Sequence, residues 1–505
     1  MRTLPRTDTL PRALYRADQV GALDRCAIDR HGIPGIDLME RAGAAAFTLL
    51  RERWPGAQRL CVLAGAGNNG GDGYVVARLA LGQGLDVRVL QLGDHQTLKG
   101  EASAAAQRYA AAGGRCEAFS KVPADADVIV DALLGTGLER PVAGDWADAI
   151  DQANGHRAPV LAVDIPSGLH ADTGRVLGTA VRAAATITFI ALKQGLFTGQ
   201  APDHCGLIRF DALDVPAAIY GTEVLSARRV DWAKERELVP ARRPSANKGN
   251  FGHVLVVGGA PGTSGAPRLC GEGALRAGAG LVSVATHPDH ARLLNLTRPE
   301  LMVHAVADAE ALRNAAGRAS VIAIGPGLGQ GDWGRAMLAR ALDLGKPLVV
   351  DADGLNLLAK EESIRRDDWV LTPHPGEAAR LLDCKIPDIE SDRFAAVTAL
   401  QQRYGGSVVL KGAGTLVRGP GHRPTAVCSD GNPGMASGGT GDALTGVIGA
   451  MVAQGLEPED AAVAGVCLHA AAGDRAARAG QRGMLPSDLI DELRATLAES
   501  PAEDR

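Results

Sequence analysis

Short apolar runs alternate with helical segments through most of the chain, in two separate blocks. The runs of the first block lie at residues 60–63, 87–90, 128–130, 160–163 and 187–190. The runs of the second block are HVLVVGG, LVSVAT, VIAIG, PLVVDA and VVLKG. Repeated strand, helix, strand order predicts a parallel sheet covered by helices on both faces. We therefore predict an α/β protein of two three-layer α/β/α domains, with ligand sites in the loops that follow the strands.

The pattern breaks between the two blocks. From about Asp214 to Asn250 the strands stop and charged residues accumulate. Acidic residues are mixed with the basic ones there and aromatic residues are nearly absent, which favours a solvated connector over a nucleic-acid site. We predict a first domain at residues 1–220, a linker at residues 221–245 and a second domain at residues 246–505.

Composition narrows the class of protein. A chain of 505 residues with 46% hydrophobic and 22% charged residues is typical of soluble globular proteins. A net charge of -5 gives no electrostatic reason to bind nucleic acid or a membrane. The eight cysteines form no C-x-x-C and no metal-ligand spacing, and the N-terminus lacks the apolar segment of a signal peptide. We expect a cytoplasmic homo-oligomer that acts on small molecules.

The most glycine-rich stretch, GNPGMASGGTGDALTGVIGAMVAQG at residues 431–455, leads into apolar residues at helical spacing. Glycines let backbone N–H groups point at one anion, and the start of a helix adds its positive dipole end. Asp442 is the first charged residue of the predicted helix and could accept a proton from an attacking hydroxyl. The alternative is a helix cap on a tightly packed helix. No P-loop sequence occurs in the chain.

The second block has motifs of a known family. GGTGD resembles the anion hole and aspartate of the ribokinase-like fold. Together with NKGNFGHVLVVGG, AGAGLVSVAT, GPGLG, DADGLN, TPHPGE and KGAGT, it resembles the ADP/ATP-dependent NAD(P)H-hydrate dehydratase family over about residues 240–497. The resemblance implies two sets of contacts. The hydrated cofactor would contact Ala266, Gly327, His374 and Asp442, and the adenine nucleotide would contact Lys411, Gly412, Ala413, Gly414, Thr415 and Gly441.

The resemblance also implies a reaction. The nucleotide, with Mg²⁺, would phosphorylate the hydroxyl group that hydration placed on the nicotinamide ring of the S hydrate. Elimination of phosphate would then restore NADH or NADPH, with release of AMP if the donor is ADP. Asp442 would act as the base. Phosphate leaves readily at neutral pH whereas hydroxide does not, which is the physical reason to couple dehydration to ADP or ATP.

Three strand-end loops of the first block also contain unusual residues: GAGNNGGDGYVVAR, DALLGTGLERP and VDIPSGLHADTG. The first loop alone could be a phosphate cradle or a tight turn. It departs from the dinucleotide fingerprint G-x-G-x-x-G because Asn68 and Asn69 introduce polar side chains. Asp131 ends a strand, where a cap is the alternative role. Lys193 could meet a phosphate, although a solvated lysine is the alternative that its residue type favours.

Together these loops resemble the N-terminal YjeF domain, the NAD(P)H-hydrate epimerase family, over about residues 15–215. The resemblance implies that Asp164 transfers protons and that K⁺ binds Asn69, Asp131 and Ser167. It also implies two loops that hold the hydrated cofactor. Their residues are Asn68, Asn69, Gly70, Gly71, Asp72, Gly135, Thr136, Gly137, Leu138, Glu139, Arg140 and Pro141.

The two resemblances predict one bifunctional enzyme. Hydration of the ring yields R and S epimers, and an epimerase beside a dehydratase specific for the S epimer would recover both. Two alternatives stay open from the residues. The second domain could be a ribokinase-like small-molecule kinase, and the first could be a non-catalytic binding module.

Overall fold

The computed structural model describes residues 10–94, 98–361 and 364–498. The first nine residues, which carry part of the prediction about a signal peptide, lie outside the described residues. The chain forms two compact units, residues 1–228 and 229–505. Their boundary lies within the stretch predicted to be a linker. No helix among the described residues is long and apolar enough to cross a membrane.

The first unit contains nine strands and five α-helices within the described residues. The strands are β1 (Ala13–Tyr15), β2 (Arg59–Ala64), β3 (Asp86–Gln91), β4 (Cys116–Ala118), β5 (Val128–Ala132), β6 (Val160–Val163), β7 (Ala185–Phe189), β8 (Leu192–Lys193) and β9 (Leu207–Asp211). The helices are α1 (Ala17–Asp29), α2 (Gly35–Arg53), α3 (Asn68–Gly82), α4 (Gly100–Ala111) and α5 (Asp145–Gly155).

Seven of these strands form a parallel sheet in the order β4-β3-β2-β5-β6-β7-β9. Successive side chains of β2 point to opposite faces, as strand geometry requires. Val62 belongs to the same buried cluster as Tyr74 of α3, and Leu63 to the same cluster as Ile150 of α5. Helices therefore cover both faces, as the apolar runs predict.

Within the described residues, the second unit contains nine complete strands of one sheet. They are β11 (His253–Val257), β12 (Leu281–Thr286), β13 (Met302–Ala305), β14 (Val321–Ile324), β15 (Leu348–Val350), β16 (Trp369–Leu371), β17 (Ser407–Leu410), β18 (Thr415–Arg418) and β19 (Thr425–Cys428). They pair in the order β13-β12-β11-β14-β15-β16-β17-β18-β19. The pairs from β13 to β17 are parallel, and β18 and β19 are antiparallel to their neighbours.

Most helices of this unit lie between successive strands, and the last three come after β19. They are α6 (Trp232–Glu235), α7 (Gly265–Arg276), α8 (Ala309–Ala316), α9 (Asp332–Asp343), α10 (Ala352–Leu358), α11 (Pro375–Leu382), α12 (Ile386–Ser391), α13 (Arg393–Tyr404), α14 (Thr440–Ala453), α15 (Pro458–Ala476) and α16 (Pro486–Ala498). The short strand β10 (Ala227–Val230) crosses the boundary between the units.

Helices α7 and α14 approach unusually closely. A Cβ added to Gly446 would lie 1.9 Å from the Cys270 carbonyl oxygen, and one added to Gly273 would lie 2.6 Å from the Ala443 carbonyl oxygen. Only glycine permits this contact between two backbones. The packing holds the first turn of α14, which contains Asp442, against the rest of the unit.

The stretch predicted to be a solvated connector is partly structured. Val230 and Trp232 are buried, and the Trp232 indole N–H donates to the Thr496 carbonyl at 3.0 Å. The prediction of a solvated segment is therefore wrong over residues 227–235, because its few apolar residues pack into the second unit's core. Because most residues of this stretch are charged or polar, the hydrophobic pattern does not indicate these buried apolar residues.

Candidate active sites

In the first unit, the carboxylate at the end of β5 is the centre of a cluster of oxygen atoms. Asp131 is fully buried. Its Oδ1 accepts the Ser167 hydroxyl hydrogen at 2.6 Å, and its Oδ2 accepts the Ser167 backbone N–H at 2.8 Å. Asn69 donates from Nδ2 to the Leu134 carbonyl at 3.1 Å, and the Leu134 N–H donates to Ser167 Oγ at 2.8 Å. The structure thus brings Asn69, Asp131 and Ser167 together.

This oxygen cluster fits a monovalent cation. Burial raises the pKa of Asp131 to about 6, and hydrogen bonds from Ser167 and Leu133 offset only part of this effect. Asn69 Oδ1 is buried and has no hydrogen-bond partner among the described residues. An unpartnered amide oxygen, a carboxylate and a hydroxyl are the hard oxygen donors that such an ion takes.

The two predicted cofactor-binding loops lie beside this cluster. A Cβ added to Gly70 would lie 1.9 Å from the Gly65 carbonyl oxygen, so glycine allows α3 to start directly after its turn. Gly135, at the start of the second loop, lies beside Asn69, whose Cβ is 3.5 Å from an added Cβ. Residues 135–141 form neither helix nor strand. Residues 68–72, predicted as a loop, instead form the start of α3, so this helix start contains Asn69 and the second loop adjoins Asn69 at the strand ends.

Asp164, directly after β6, pairs with a buried lysine. Lys193 is 1% exposed, and its Nζ contacts Asp164 Oδ1. The same Nζ donates to Thr188 Oγ1 at 2.9 Å and to the Phe189 carbonyl at 3.2 Å. The prediction of a solvated lysine is wrong, because β8 returns this residue to the pocket and the carboxylate compensates its burial.

Two more carboxyl groups face Asp164. Asp72 lies on α3, and burial and the charge of Asp164 raise its pKa well above the usual range. Asp24 lies on α1, and its pKa is raised by burial, Glu101 and Asp164. Asp24 is a site neighbour that sequence reasoning missed, because α1 shows an ordinary amphipathic pattern.

In the second unit, Asp442 lies in the first turn of α14. Gly439, which precedes this helix, has a left-handed backbone with φ 98°. A Cβ added to Gly441 would lie 3.4 Å from Lys411 Nζ and 3.7 Å from Asp351 Oδ2. Burial and then the charge of Asp351 raise the pKa of Asp442 to about 7. A carboxyl group with this pKa can accept a proton near neutral pH.

Three carboxyl groups from different elements surround Lys411: Asp351, Glu377 and Asp442. Lys411 Nζ lies 2.6 Å from Asp351 Oδ1 and 3.7 Å from Glu377 Oε2. Burial lowers the pKa of Lys411, but the two carboxylates outweigh burial and leave it raised. Asp351 Oδ2 accepts the hydroxyl of the buried Thr445 at 2.8 Å. Asp351 and Glu377 lie in the motifs DADGLN and TPHPGE, but the sequence pattern alone indicates no role for these two side chains.

His374 is held as predicted by the turn before α11. Its Nδ1 accepts the Gly376 N–H at 2.9 Å, and its backbone N–H donates to Glu377 Oε2 at 2.8 Å. Partial burial and the charge of Lys411 lower its pKa. Its side chain is 51% exposed, so the neutral ring is both oriented and open to a ligand.

The loop around Gly327 connects to the start of α7. The Gly327 carbonyl accepts the Ala260 N–H at 2.7 Å and the Thr263 hydroxyl at 2.7 Å. Its φ is 58°, and an added Cβ would lie 2.6 Å from the Thr263 carbonyl oxygen. Ala266 lies in the first turn of α7, three residues beyond Thr263. The loop therefore forms part of the strand-end edge that α14 and Asp442 also border.

The side chain of Arg393 supports the start of the turn of residues 411–415. Arg393 is buried, and its guanidinium donates to the Leu410 and Lys411 carbonyls at 3.2 and 3.1 Å. Gly412 has φ 138°, and Thr415 Oγ1 donates to the Gly412 carbonyl at 2.9 Å. Sequence reasoning missed Arg393, which looks like a surface residue of α13.

No three histidine, cysteine, aspartate or glutamate side chains in the described ranges are arranged to hold a metal ion together. A divalent cation in the second unit would therefore bind at most two of these side chains at once. Mg²⁺ commonly binds one or two carboxylates together with the phosphates of a substrate. Asp351 and Glu377 supply such a pair, so the residues fit a Mg–nucleotide complex.

Comparisons with known proteins match both units. The model described as "YjeF-related protein N-terminus" matches residues 35–195, and that described as "NAD(P)H-hydrate dehydratase" matches residues 254–495. A bifunctional NAD(P)H-hydrate repair enzyme of Coxiella burnetii is 47% identical over 491 residues, covering 95% of this chain and 98% of that protein. The corresponding Escherichia coli enzyme is 47% identical over 489 residues, covering 96% and 94%.

Among solved structures, a ribokinase-like superfamily protein of Enterococcus faecalis V583 aligns with a TM-score of 0.51 and 29% identity. The alignment covers 55% of this chain and 96% of that one. This similarity agrees with the predicted ribokinase-like fold of the second unit.

Proposed function

The chain belongs to the family of bifunctional NAD(P)H-hydrate repair enzymes, and from this premise we propose how its two sites divide the repair. The first unit epimerises the R and S hydrates of NADH and NADPH. The second unit dehydrates the S hydrate back to NADH or NADPH with an adenine nucleotide. The identity with relatives extends through both units, which favours this function over a kinase joined to a non-catalytic module.

Asp164 is the proton-transfer group of the epimerase in this proposal. Its carboxylate lies directly after β6, and the start of α3 (residues 68–72) and the loop of residues 135–141 would hold the hydrated ring. Asn69, Asp131 and Ser167 would hold K⁺, which would supply a fixed positive charge to the site. The buried, unpartnered Asn69 Oδ1 supports this ion site.

Asp442 is the base of the dehydratase. Its position at the start of α14, beside Lys411, is the observation that carries this proposal. The carboxylate accepts the proton of the substrate hydroxyl as that oxygen attacks the terminal phosphoryl group. Backbone N–H groups at the helix start stabilise the charge that develops. Ala266, Gly327 and His374 orient the hydrated ring.

Asp351 and Glu377 would hold Mg²⁺, whose positive charge would neutralise the nucleotide phosphates. Residues 411–415 and Gly441 bind the adenine nucleotide, and the ammonium of Lys411 approaches its phosphates. We propose ADP as the physiological donor, released as AMP, with ATP as the alternative donor.

The compartment and the assembly belong to the same proposal. All eight cysteines are free, and six of them are buried, which is typical of a reducing compartment. We propose a cytoplasmic homo-oligomer. Sedimentation of the purified chain tests the oligomeric state.

One assay tests both activities. A mixture of the two hydrate epimers is incubated with the chain, K⁺, Mg²⁺ and either ADP or ATP, and recovery of the reduced-nicotinamide absorbance is followed. Full recovery with one nucleotide would support both activities and identify the donor. Recovery that stops at the amount of one epimer would leave the first unit without epimerase activity. Nucleotide consumption without recovery would move the second unit to the kinase alternative.

A further inference from the structure

Lys193 is buried in the first unit with Asp164 as its anionic partner. Its side chain is 1% exposed, and its three contacts are Asp164 Oδ1, Thr188 Oγ1 at 2.9 Å and the Phe189 carbonyl at 3.2 Å. These contacts use all three ammonium hydrogens. A lysine enclosed in this way cannot reach a ligand directly, so its effect on the site must pass through Asp164.

The backbone on both sides of this pair is strained. Asp164 has φ 65° and Ile190 has φ 63°, a left-handed conformation that is costly for a β-branched residue. The Asp164 N–H donates to the Ile187 carbonyl at 2.7 Å, and the Tyr220 hydroxyl donates to the Ile190 carbonyl at 2.7 Å. The chain is therefore held in a costly bend that brings the carboxylate and the ammonium together.

Other charged groups face the pair from three helices. Asp72 lies on α3, Asp24 and Arg25 lie on α1, and Glu101 on α4 faces Asp24. Asp72 and Asp24 each interact with the negative charge of Asp164 and the positive charge of Lys193. Carboxyl groups that share a site compete for ionisation.

We propose that Lys193 is a positioning residue of the epimerase: its ammonium engages Asp164 Oδ1, so that Oδ2 faces the hydrated ring. This inference rests on the proposed epimerase function. No hydrogen bond reaches Asp164 Oδ2 from the residues that the structure describes. One oxygen is thus anchored and the other is available to a substrate.

The chemistry requires such a division of roles. Water adds to the ring double bond so that the hydroxyl is on the carbon bonded to nitrogen. Epimerisation breaks that C–O bond: an acid gives a proton, the hydroxyl leaves as water, and the nitrogen lone pair forms C=N. Water then adds to the opposite face and gives a proton to a base, with no oxidation or reduction. The two proton transfers require an acid and a base in one site. Asp72 and Asp164, whose charges interact, are two carboxyl groups that could share these roles.

The test is a comparison of Lys193→Met, Lys193→Arg and the unaltered chain in the epimerase assay across pH. For Lys193→Met we expect kcat for epimerisation to fall by about 30-fold or more near neutral pH, with KM changed less than about threefold. The acid side of its pH profile should move to higher pH, and activity should partly return in alkaline buffer. Lys193→Arg should retain more activity, because it keeps the charge. Dehydration of pure S hydrate, measured on the same samples, controls for the amount of active chain.

A wild-type kcat and pH profile for Lys193→Met would overturn the inference. The absence of epimerisation by the unaltered chain would instead contradict the proposed function. Because Lys193→Met leaves a buried carboxylate without its partner, the double variant Asp164→Asn/Lys193→Met provides a second test. If Lys193 acts through Asp164, the double variant should be no slower than Asp164→Asn alone. Additive losses of activity would overturn the inference.

Discussion

The two sites of this chain are built on the same backbone plan but with different charges. Each lies at the carboxyl ends of parallel strands, and in each a glycine-rich turn leads into a helix, α3 in the first unit and α14 in the second. In the first unit, Lys193 contacts the carboxylate of Asp164, and the charges of Asp72 and Asp24 also interact with it. In the second, Lys411 contacts both Asp351 and Glu377, and Asp442 is close by. The second site thus places two carboxylates directly on one cation.

This difference shows that the turn and the helix start do not determine the chemistry. Both would favour an anion through their backbone N–H groups. What distinguishes the sites is the set of side chains at the neighbouring strand ends. Two carboxylates from neighbouring elements suit a site that binds a metal–phosphate complex, whereas an amide, a hydroxyl and one buried carboxylate suit a monovalent cation.

The largest expected effect comes from removing the base of the second site. Asp442→Asn should lower dehydration by about 10³-fold, because the amide cannot accept the hydroxyl proton. Epimerisation should be unchanged. The measurements are recovery of the reduced-nicotinamide absorbance from pure S hydrate and the epimer ratio by chromatography.

The matched control for this change is Asp332→Asn in the same unit, whose carboxylate is 99% exposed. It should leave both rates as they are. Loss of both activities in Asp442→Asn would show that the two sites are not independent.

A smaller effect is expected in the first site. Asp131→Asn should weaken K⁺ binding and lower epimerisation by about 10- to 100-fold, while dehydration stays the same. Since the pKa of Asp131 is about 6, the unaltered chain should itself bind K⁺ less tightly as pH falls through 6. Titration of epimerase activity with K⁺ at two pH values measures both effects.

The control is Asp125→Asn, which changes a surface aspartate whose side chain is 56% exposed. Full activity of Asp131→Asn without K⁺ would contradict the ion site.

The third expected effect concerns the packing that supports the second site alone. Gly446→Ala places a methyl group 1.9 Å from the Cys270 carbonyl oxygen, and both atoms belong to backbones that cannot move aside easily. We expect a loss of about 2–3 kcal/mol in the free energy of unfolding of the second unit, and slower dehydration. Denaturant titration measures the stability. Gly317→Ala, where the nearest atom is 3.5 Å from the added Cβ, should have little effect.

Sequence patterns predict the elements around these sites well where periodicity is strong. The runs at residues 160–163 and 281–286 coincide with β6 and β12, and the apolar stripe after Asp442 is the buried face of α14. These elements are buried on both faces, so nearly every residue in them is apolar. The three residues of the short edge strand β4 are exposed, and the apolar runs do not predict this strand. Exposed positions need no apolar side chains, so the strand has no apolar pattern.

Side-chain partners across the fold are less predictable. Asp164 and Lys193 are 29 residues apart, and no local pattern indicates that the strained turn at Ile190 brings them into contact. Arg393 looks like an exposed helix residue but supports the turn after β17. Charged residues are predicted as exposed by default. The exceptions are set by tertiary partners, and here they are found beside the proposed sites.

The smallest expected effect is a pH dependence of stability that differs between the units. Asp442 has a folded-state pKa of about 7, above its unfolded value of 3.8, so the folded chain binds more protons than the unfolded chain between these values. Stability of the second unit should therefore fall as pH rises from about 4 to 7. Asp442→Asn removes this loss. Because the carboxyl group is partly open to solvent, we expect a gain of about 1–2 kcal/mol at pH 8 that disappears near pH 4.

Unfolding of both chains in denaturant at a series of pH values measures this difference. Equal stabilities of Asp442→Asn and the unaltered chain at pH 8 would contradict the raised pKa. In the first unit the corresponding group is Asp131, and K⁺ should offset the cost of its charge. Adding K⁺ at pH 8 should therefore stabilise the first unit and leave the second unchanged. The carboxylate of Asp442 must stay free to accept a proton, so its charge lowers the stability of the second unit at high pH. In the first unit, bound K⁺ can offset the corresponding cost of the Asp131 charge.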